Sequence, residues 1–364
     1  MPADGWQLPN GPAAAGPRAR RDVAGQDQGS PNQYRRVGRP IRPEVDETGA
    51  LAYPWAMPQR VAPITVPDDF TVFAASDLHG QLAATDRLLA RAGLTDGAGT
   101  WTAPAGTALV VTGDLVDRGP DSAGLVRRMA SLREQAPARG GMVVLLEGNH
   151  EIQLLGALDG VPDIFRAFMT FGGAATLLSA GMTEADWRDA SAADIAARFD
   201  AAAPDVRPIA WSFAPYARWR DVLLVHGGPV PGQDLAAFEG SAQRLWIRQR
   251  FFNAEEAFPS ASAWSVYRRA RLERVVFGHT PVAAPTLFHR AHALNLDTWR
   301  GQTVSLAHLA GDRLDDAVLF SEPVQPRAVA DAPVTPEEVL AIDAALPPIV
   351  DDWWLRAKGP LRNG

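Results

Sequence analysis

The chain reads as an α/β protein on three observations. Short apolar runs stop at Gly, Asp, Asn or His, amphipathic stretches follow several of them, and chemistry-bearing residues gather where the runs end. The runs are Val72-Phe73-Ala74-Ala75, Ala108-Leu109-Val110-Val111, Met142-Val143-Val144-Leu145-Leu146, Val222-Leu223-Leu224-Val225 and Val275-Val276-Phe277. Each is too short for a buried helix and is closed by polar residues or Gly, the pattern of a strand buried on both faces. Apolar residues at three- and four-residue spacing predict helices over 81–92, 122–135, 151–157, 164–179 and 184–203. Near the C-terminus, Thr335-Pro336-Glu337-Glu338 combines a capping threonine, a proline in the first turn and a glutamate three residues after the cap, so a short helix is expected there.

Composition narrows the function classes. With 364 residues, 46% of them hydrophobic, the chain can bury a sizeable core. Residues 1–60 are rich in Pro, Gly and Gln with little periodicity, and are expected to be a disordered arm. Residues 61–322 form the expected catalytic domain and 323–364 a C-terminal tail. A net charge of -7 gives no overall basic surface, so no nucleic-acid partner is expected for the core. With no cysteine, disulfides, thiolate metal sites and cysteine nucleophiles are excluded, and a metal must be held by His, Asp, Glu or Asn. No run of about 18 apolar residues and no secretory-type N-terminus are present, so no membrane partner is expected and the cytoplasm is the default location.

Five polar clusters follow the five runs: Ser76-Asp77-Leu78-His79-Gly80, Gly113-Asp114-Leu115-Val116-Asp117-Arg118-Gly119, Gly148-Asn149-His150-Glu151, His226-Gly227-Gly228 and Gly278-His279-Thr280. In open α/β sheets the carboxyl ends of strands are where ligands bind. Asp77 and His79 can share one cation, Asp114 has two oxygens and can bridge to a second, and Asn149, His226 and His279 complete the second set. Mixed oxygen and imidazole ligation suits Mn, Fe or Zn better than Ca or Mg. Two such cations roughly 3.5–4 Å apart can hold a shared hydroxide and clamp phosphate oxygens during in-line displacement. Arg118 offers a planar fork for those oxygens, His150 can protonate the leaving group, and Asp117 can orient that imidazole and raise its pKa.

A lone histidine after a strand is more often structural than functional, and an isolated Gly-Asp is more often a turn. Five compatible clusters in order change that balance. They use His79, His150, His226 and His279, with His292 a weaker fifth, whereas His289 and His308 read as surface or packing residues. Trp353 and Trp354 beside Asp351 and Asp352 are expected to anchor the tail onto the domain, with docking onto a partner the alternative.

In these motifs the sequence resembles the calcineurin-like metallophosphoesterases, in particular the bacterial phosphoprotein phosphatase family, serine/threonine protein phosphatases included. The resemblance runs from Asp77 to Thr280 and more weakly to Asn295-Leu296-Asp297-Thr298. It implies two mixed β-sheets packed as a sandwich flanked by helices, a four-layer αββα fold. It also implies two divalent ions, Mn foremost with Fe or Zn as alternatives: Asp77, His79 and Asp114 hold the first, and Asp114, Asn149, His226 and His279 the second. His150 corresponds to the general acid and Asp117 to its partner, while Trp246-Ile247-Arg248 places Arg248 beside Arg118 as a phosphate clamp. Phe171-Gly172-Gly173-Ala174-Ala175-Thr176-Leu177 resembles part of the helical cover. Ser76 stands where the family usually has glycine, and Pro229-Val230-Pro231 departs from the eukaryotic protein phosphatases.

The implied activity is phosphomonoester hydrolysis, with a phosphorylated protein or a small phosphorylated molecule as substrate. A dinucleoside-polyphosphate hydrolase of the same chemistry is the alternative, and a catalytically silent binding module the third reading.

Overall fold

The computed structural model describes residues 44–45, 51–52, 61–231, 233–248, 251, 271–289, 291–326 and 336–358. In chain order the strands are β1 (Glu44–Val45), β2 (Leu51–Ala52), β3 (Ile64–Val66), β4 (Thr71–Ser76), β5 (Thr107–Val111), β6 (Met142–Leu145) and β7 (Ala217–Trp219). After them come β8 (Val222–Leu224), β9 (Arg274–Phe277), β10 (Thr286–Phe288), β11 (Ala293–Asn295), β12 (Thr303–Leu309) and β13 (Val318–Pro323). The α-helices among the described residues are α1 (Leu82–Arg91), α2 (Ser122–Gln135), α3 (Asn149–Leu158), α4 (Pro162–Thr170), α5 (Gly173–Ser179), α6 (Ala192–Ala202), α7 (Val206–Trp211), α8 (Leu235–Gly240), α9 (Gln243–Trp246) and α10 (Pro336–Lys358).

Two mixed sheets form the sandwich. One runs β13-β12-β4-β5-β6, with β4, β5 and β6 parallel and β12 and β13 added antiparallel. The other runs β10-β11-β9-β8-β7-β3, with β8, β9 and β11 mutually parallel. Alternation along each strand sends one set of side chains inward and the next outward. Inward, Val72, Ala74, Val110 and Val144 meet Ala217, Trp219, Leu224 and Val276 of the other sheet. Outward, Phe73, Ala75, Leu109, Val111 and Leu145 carry helices α1 to α6 through residues such as Leu88, Met129, Phe168 and Phe199. Burying each Val or Leu of this kind stabilises the fold by about 1.5–3 kcal/mol. Among the described residues the fourth layer is thinner: Phe238 of α8, Ile247 and Phe251 cover Leu223, Val275 and Phe277.

Several elements depart from the sequence expectation. The helix expected over 164–179 is two helices, broken at Gly172, where φ is 107°. The helix expected over 184–203 is one 3-10 turn, Glu184–Asp186, and then α6, whose start is fixed by the Ser191–Asp194 capping box. The short C-terminal helix is instead 23 residues long and carries Pro347 and Pro348 in its interior, where proline normally breaks a helix. In the segment assigned to the arm, β1 pairs with β2, and the rest of 1–60 lies outside the described residues.

Candidate metal centre

The five polar clusters meet on one rim of the sandwich. Parallel strands β4, β5 and β6 end beside one another, and the loops that follow carry Asp77 and His79, Asp114, and Asn149. The parallel pair β8 and β9 delivers His226 and His279 from the other sheet. The backbone there is unusual: Asp77, His79, Asp114, Asp117, Arg118 and His279 all have positive φ, between 38° and 74°. Non-glycine residues seldom adopt that region, and where they do the surrounding structure must hold them. Gly278 permits the closest approach of the two loops, since a Cβ there would lie 1.9 Å from Ser76 Oγ and 2.0 Å from Asp77 Oδ2.

Asp114 is central. Its Oδ1 lies 3.3 Å from His226 Nε2, and its Oδ2 lies 3.7 Å from His79 Nε2 and 3.8 Å from His150 Nε2. Asp77 Oδ1 is 3.9 Å from His79 Nε2, while its Oδ2 accepts from the Ser76 hydroxyl at 2.5 Å and from the His279 backbone N–H at 3.0 Å. Asn149 Oδ1 sits 2.8 Å from His226 Nε2 and 2.9 Å from His279 Nδ1. Two groups, His79-Asp114-His150 and Asp114-His226-His279, bring ligand atoms within 4.8 Å of one another.

The donor set fits cations. His226 Nδ1 is paired with the Thr112 carbonyl at 2.9 Å, which makes it the protonated nitrogen and turns the Nε2 lone pair inward. That lone pair then faces two oxygen acceptors, Asn149 Oδ1 and Asp114 Oδ1. Three buried acceptors in mutual contact repel unless a cation or proton sits among them. His79 is arranged in the same way, with Nδ1 against the Val116 carbonyl at 2.8 Å. Its Nε2 is met by the cationic Arg118 Nη1 at 2.6 Å.

Burial dominates the electrostatics. Desolvation pushes Asp114 well above the ordinary carboxylate range, reinforced by Asp77 and Glu151. Asp117 is raised well above it by desolvation. The same effect pulls His226 down, and pulls His279 well down with Arg248 adding to it. His150 is also pulled well down, by desolvation first and the Arg118 charge second. Asp117 does orient this ring, with Oδ2 at 2.6 Å from Nδ1. The expected rise in the pKa of His150 is not what results, because burial and neighbouring cations outweigh the carboxylate.

Arg118 forks between His79 and His150, its Nη2 lying 3.0 Å from His150 Nε2. Arg248 meets a different ligand, its Nε donating to His279 Nε2 at 2.9 Å. His292 is not part of the rim: its Nδ1 pairs with the Glu273 carbonyl at 3.1 Å. His289 packs on Phe251 at 4.9 Å and His308 stacks on Phe73 at 4.4 Å.

The supporting roles of Glu151, Thr176, Gly172, Trp299 and Arg244 escaped sequence reasoning. Glu151 accepts backbone N–H groups of Asp114, Leu115, Val116 and Gly148, so one carboxylate holds both ligand loops. Its position, three residues after Gly148 at a helix start, where a glutamate can reach back to the N-cap backbone N–H, is the signal that could have found it. Thr176 bonds both the backbone N–H and the Oδ1 of Asp117, and the Gly172 carbonyl accepts from Arg118 N. Trp299 donates its indole N–H to the Asp77 carbonyl at 2.6 Å and stands edge-on to His79. Arg244 forms a buried 2.8 Å pair with Glu147.

The chain belongs to the calcineurin-like phosphoesterases, whose family model matches residues 70–283, more than half of its length. It is 39% identical over 89 residues to a symmetrical bis(5'-nucleosyl)-tetraphosphatase of Acidovorax sp., covering 24% of this chain and 26% of that protein. It is 35% identical over 79 residues to Shewanella-like protein phosphatase 2 of Arabidopsis thaliana, covering 22% and 20%. An uncharacterised protein of Schizosaccharomyces pombe is 45% identical over 82 residues, covering 22% and 24%. The chain thus spans about a quarter or less of these curated relatives. Among solved structures, a cold-active protein tyrosine phosphatase shares the fold, with TM-score 0.52 and 21% identity over 72% of this chain and 81% of that one. No helix among the described residues is long and apolar enough to cross a membrane.

Proposed function

We propose that the chain is a phosphoprotein phosphatase that hydrolyses phosphomonoesters at a two-cation centre. The observation that carries this reading is the inward cluster of acceptors on Asp114, Asn149 and His226, bordered by Arg118, Arg248 and the His150–Asp117 pair. Asp77, His79 and Asp114 would hold the first ion, and Asp114, Asn149, His226 and His279 the second, with Mn the expected metal and Fe or Zn the alternatives. Bound there, the cation pair supplies an activated water and neutralises charge on the phosphoryl group.

The chain's own residues do the rest. Arg118 reaches His79 and His150 and Arg248 reaches His279, so their planar forks can orient the non-bridging oxygens of one phosphate. A phosphate oxygen competes with His79 and His150 for the Arg118 donors. The dianion also offsets the arginine charge, and so raises the affinity of His150 for its proton. Asp117 holds Nδ1 of that ring, which leaves Nε2 aimed at the rim as the proton donor to the leaving oxygen. We assign the catalytic domain to 61–322, the arm to 1–60 and the tail to 323–364. Residues in those bounds take a cytoplasmic phosphorylated substrate in this reading.

Similarity to the tetraphosphatase supports a second reading, cleavage of dinucleoside polyphosphates by the same residues. Parallel assays of a phosphopeptide and diadenosine tetraphosphate separate the two; strong preference for the latter overturns the first. Cleavage of para-nitrophenyl phosphate that is abolished by chelator and restored by Mn is expected. No turnover with Mn, Fe, Zn or Co assigns the chain instead to a silent binding module.

A further inference from the structure

The tail helix α10 begins well beyond residue 283, where the family match ends. Its Leu346, Val350 and Trp353 are buried against α3, α4 and α9 in one apolar cluster. Trp353 stands edge-on to Trp211 with ring centroids 6.0 Å apart, and its indole N–H donates to Asp159 Oδ2 at 3.1 Å. These contacts seat the helix. A further residue on it, Asp351, is only partly buried and turns to α9: its carboxylate accepts the Ala242 backbone N–H and, at 3.4 Å, the Ser241 hydroxyl.

What α9 holds makes this contact consequential. The Arg244 carbonyl accepts from Gly227 N at 3.0 Å and Gly228 N at 3.2 Å, fixing the turn directly after His226. The Arg244 side chain bonds Glu147, which precedes the Asn149 loop. Two residues past the end of α9, Arg248 donates to His279. A helix of one turn has little stability of its own, because its first N–H groups lack intrahelical partners. Here a carboxylate from a separate helix supplies an acceptor for the Ala242 N–H, and carboxylate-to-backbone bonds at a helix start are among the strong ones.

We propose that α10 is a strap that positions the Arg248 arm of the phosphate site, with Asp351 its positioning residue. The role rests on reading Arg248 as a phosphate ligand. Without the Asp351 carboxylate, the start of α9 loses its tie to α10 while Arg244 keeps its bonds to Glu147, Gly227 and Gly228; the guanidinium two residues past α9 is then held less firmly at the spacing one phosphate needs, and the cation ligands keep their own supports.

The test uses the full chain, with inorganic phosphate binding followed by calorimetry, kcat and KM for para-nitrophenyl phosphate, and metal content. Asp351→Ala is expected to raise the phosphate Kd and the KM about tenfold, the effect of losing one charge-assisted hydrogen bond. Its kcat and metal content are expected to stay within about twofold of the parent. Asp351→Asn, which keeps an acceptor, recovers part of the loss, and Ser241→Ala moves affinity in the same direction if Asp351→Ala does not fold. Asp351→Ala added to Arg248→Ala weakens binding no further, because both remove one interaction. Parent-like phosphate affinity in Asp351→Ala and Ser241→Ala, an additive double variant, or loss of metal overturns the strap. A parent protein that neither binds phosphate nor turns over ester overturns the phosphatase reading and the strap with it.

Discussion

The five-stranded sheet carries a thick helical coat, α1 to α6, over its outer face, whereas the outer face of the six-stranded sheet is covered among the described residues by α8, Ile247 and Phe251. They also divide the candidate ligands: Asp77, His79, Asp114 and Asn149 follow strands of the first, His226 and His279 strands of the second. Neither sheet alone presents the whole set. The rim is completed only when the inner faces are packed, so chemistry at the rim reports on the register of the sandwich.

The first way to sharpen this contrast is a substitution on the first sheet's side that leaves both ligand sets whole. His150→Asn is expected to keep metal content while lowering turnover by about 10²–10⁴. Elemental analysis beside kcat measures it, and lost metal would reassign that histidine as a ligand. Next is a break between the sheets. Arg244→Met leaves Glu147 buried without its partner, and the expected loss is about 3–5 kcal/mol of unfolding free energy, read by denaturant titration. A parent-like midpoint would mean the pair does not join the two loops.

Gly278→Ala probes the narrowest crossing, where the new methyl meets Ser76 and Asp77. Displacing a ligand by a fraction of an ångström to an ångström lowers turnover about 10²-fold. Undiminished activity in Gly278→Ala would show that the two loops can part without harm. The smallest effect is expected at the sheet edge, where Glu322 of β13 pairs with Arg87 and Arg91 of α1. The Arg91 hydrogen bond, above all, holds its pKa below the ordinary glutamate value. A depressed carboxylate contributes stability above its unfolded pKa and loses it as pH falls through the folded value. Glu322→Gln should therefore cost under about 1 kcal/mol at pH 7 because both arginines are exposed, and less in acid or high salt. A difference that grows toward acid pH would point to another source.

The strands that sequence reveals are those buried on both faces, β4, β5, β6, β8 and β9, because such burial leaves only apolar residues in the run. Strands open to solvent give no such run: β13 leaves Val318 and Leu319 about half exposed, and β10 is exposed at Leu287. The ligand motifs were legible because each is local to one turn. Glu147–Arg244 and Asp77–Trp299 join residues far apart in the chain, and nothing in either neighbourhood announces the other. The break at Gly172 was hidden for a related reason, since the carbonyl it exposes is used by Arg118.

The left-handed backbone at Asp77, His79, Asp114, Asp117, Arg118 and His279 has a practical corollary for engineering. Each such residue carries a conformational penalty of about 1 kcal/mol or more that glycine would escape. Heat selection applied without an activity screen should accordingly enrich glycine at Asp117 or Arg118, yielding hardier proteins that no longer turn over substrate.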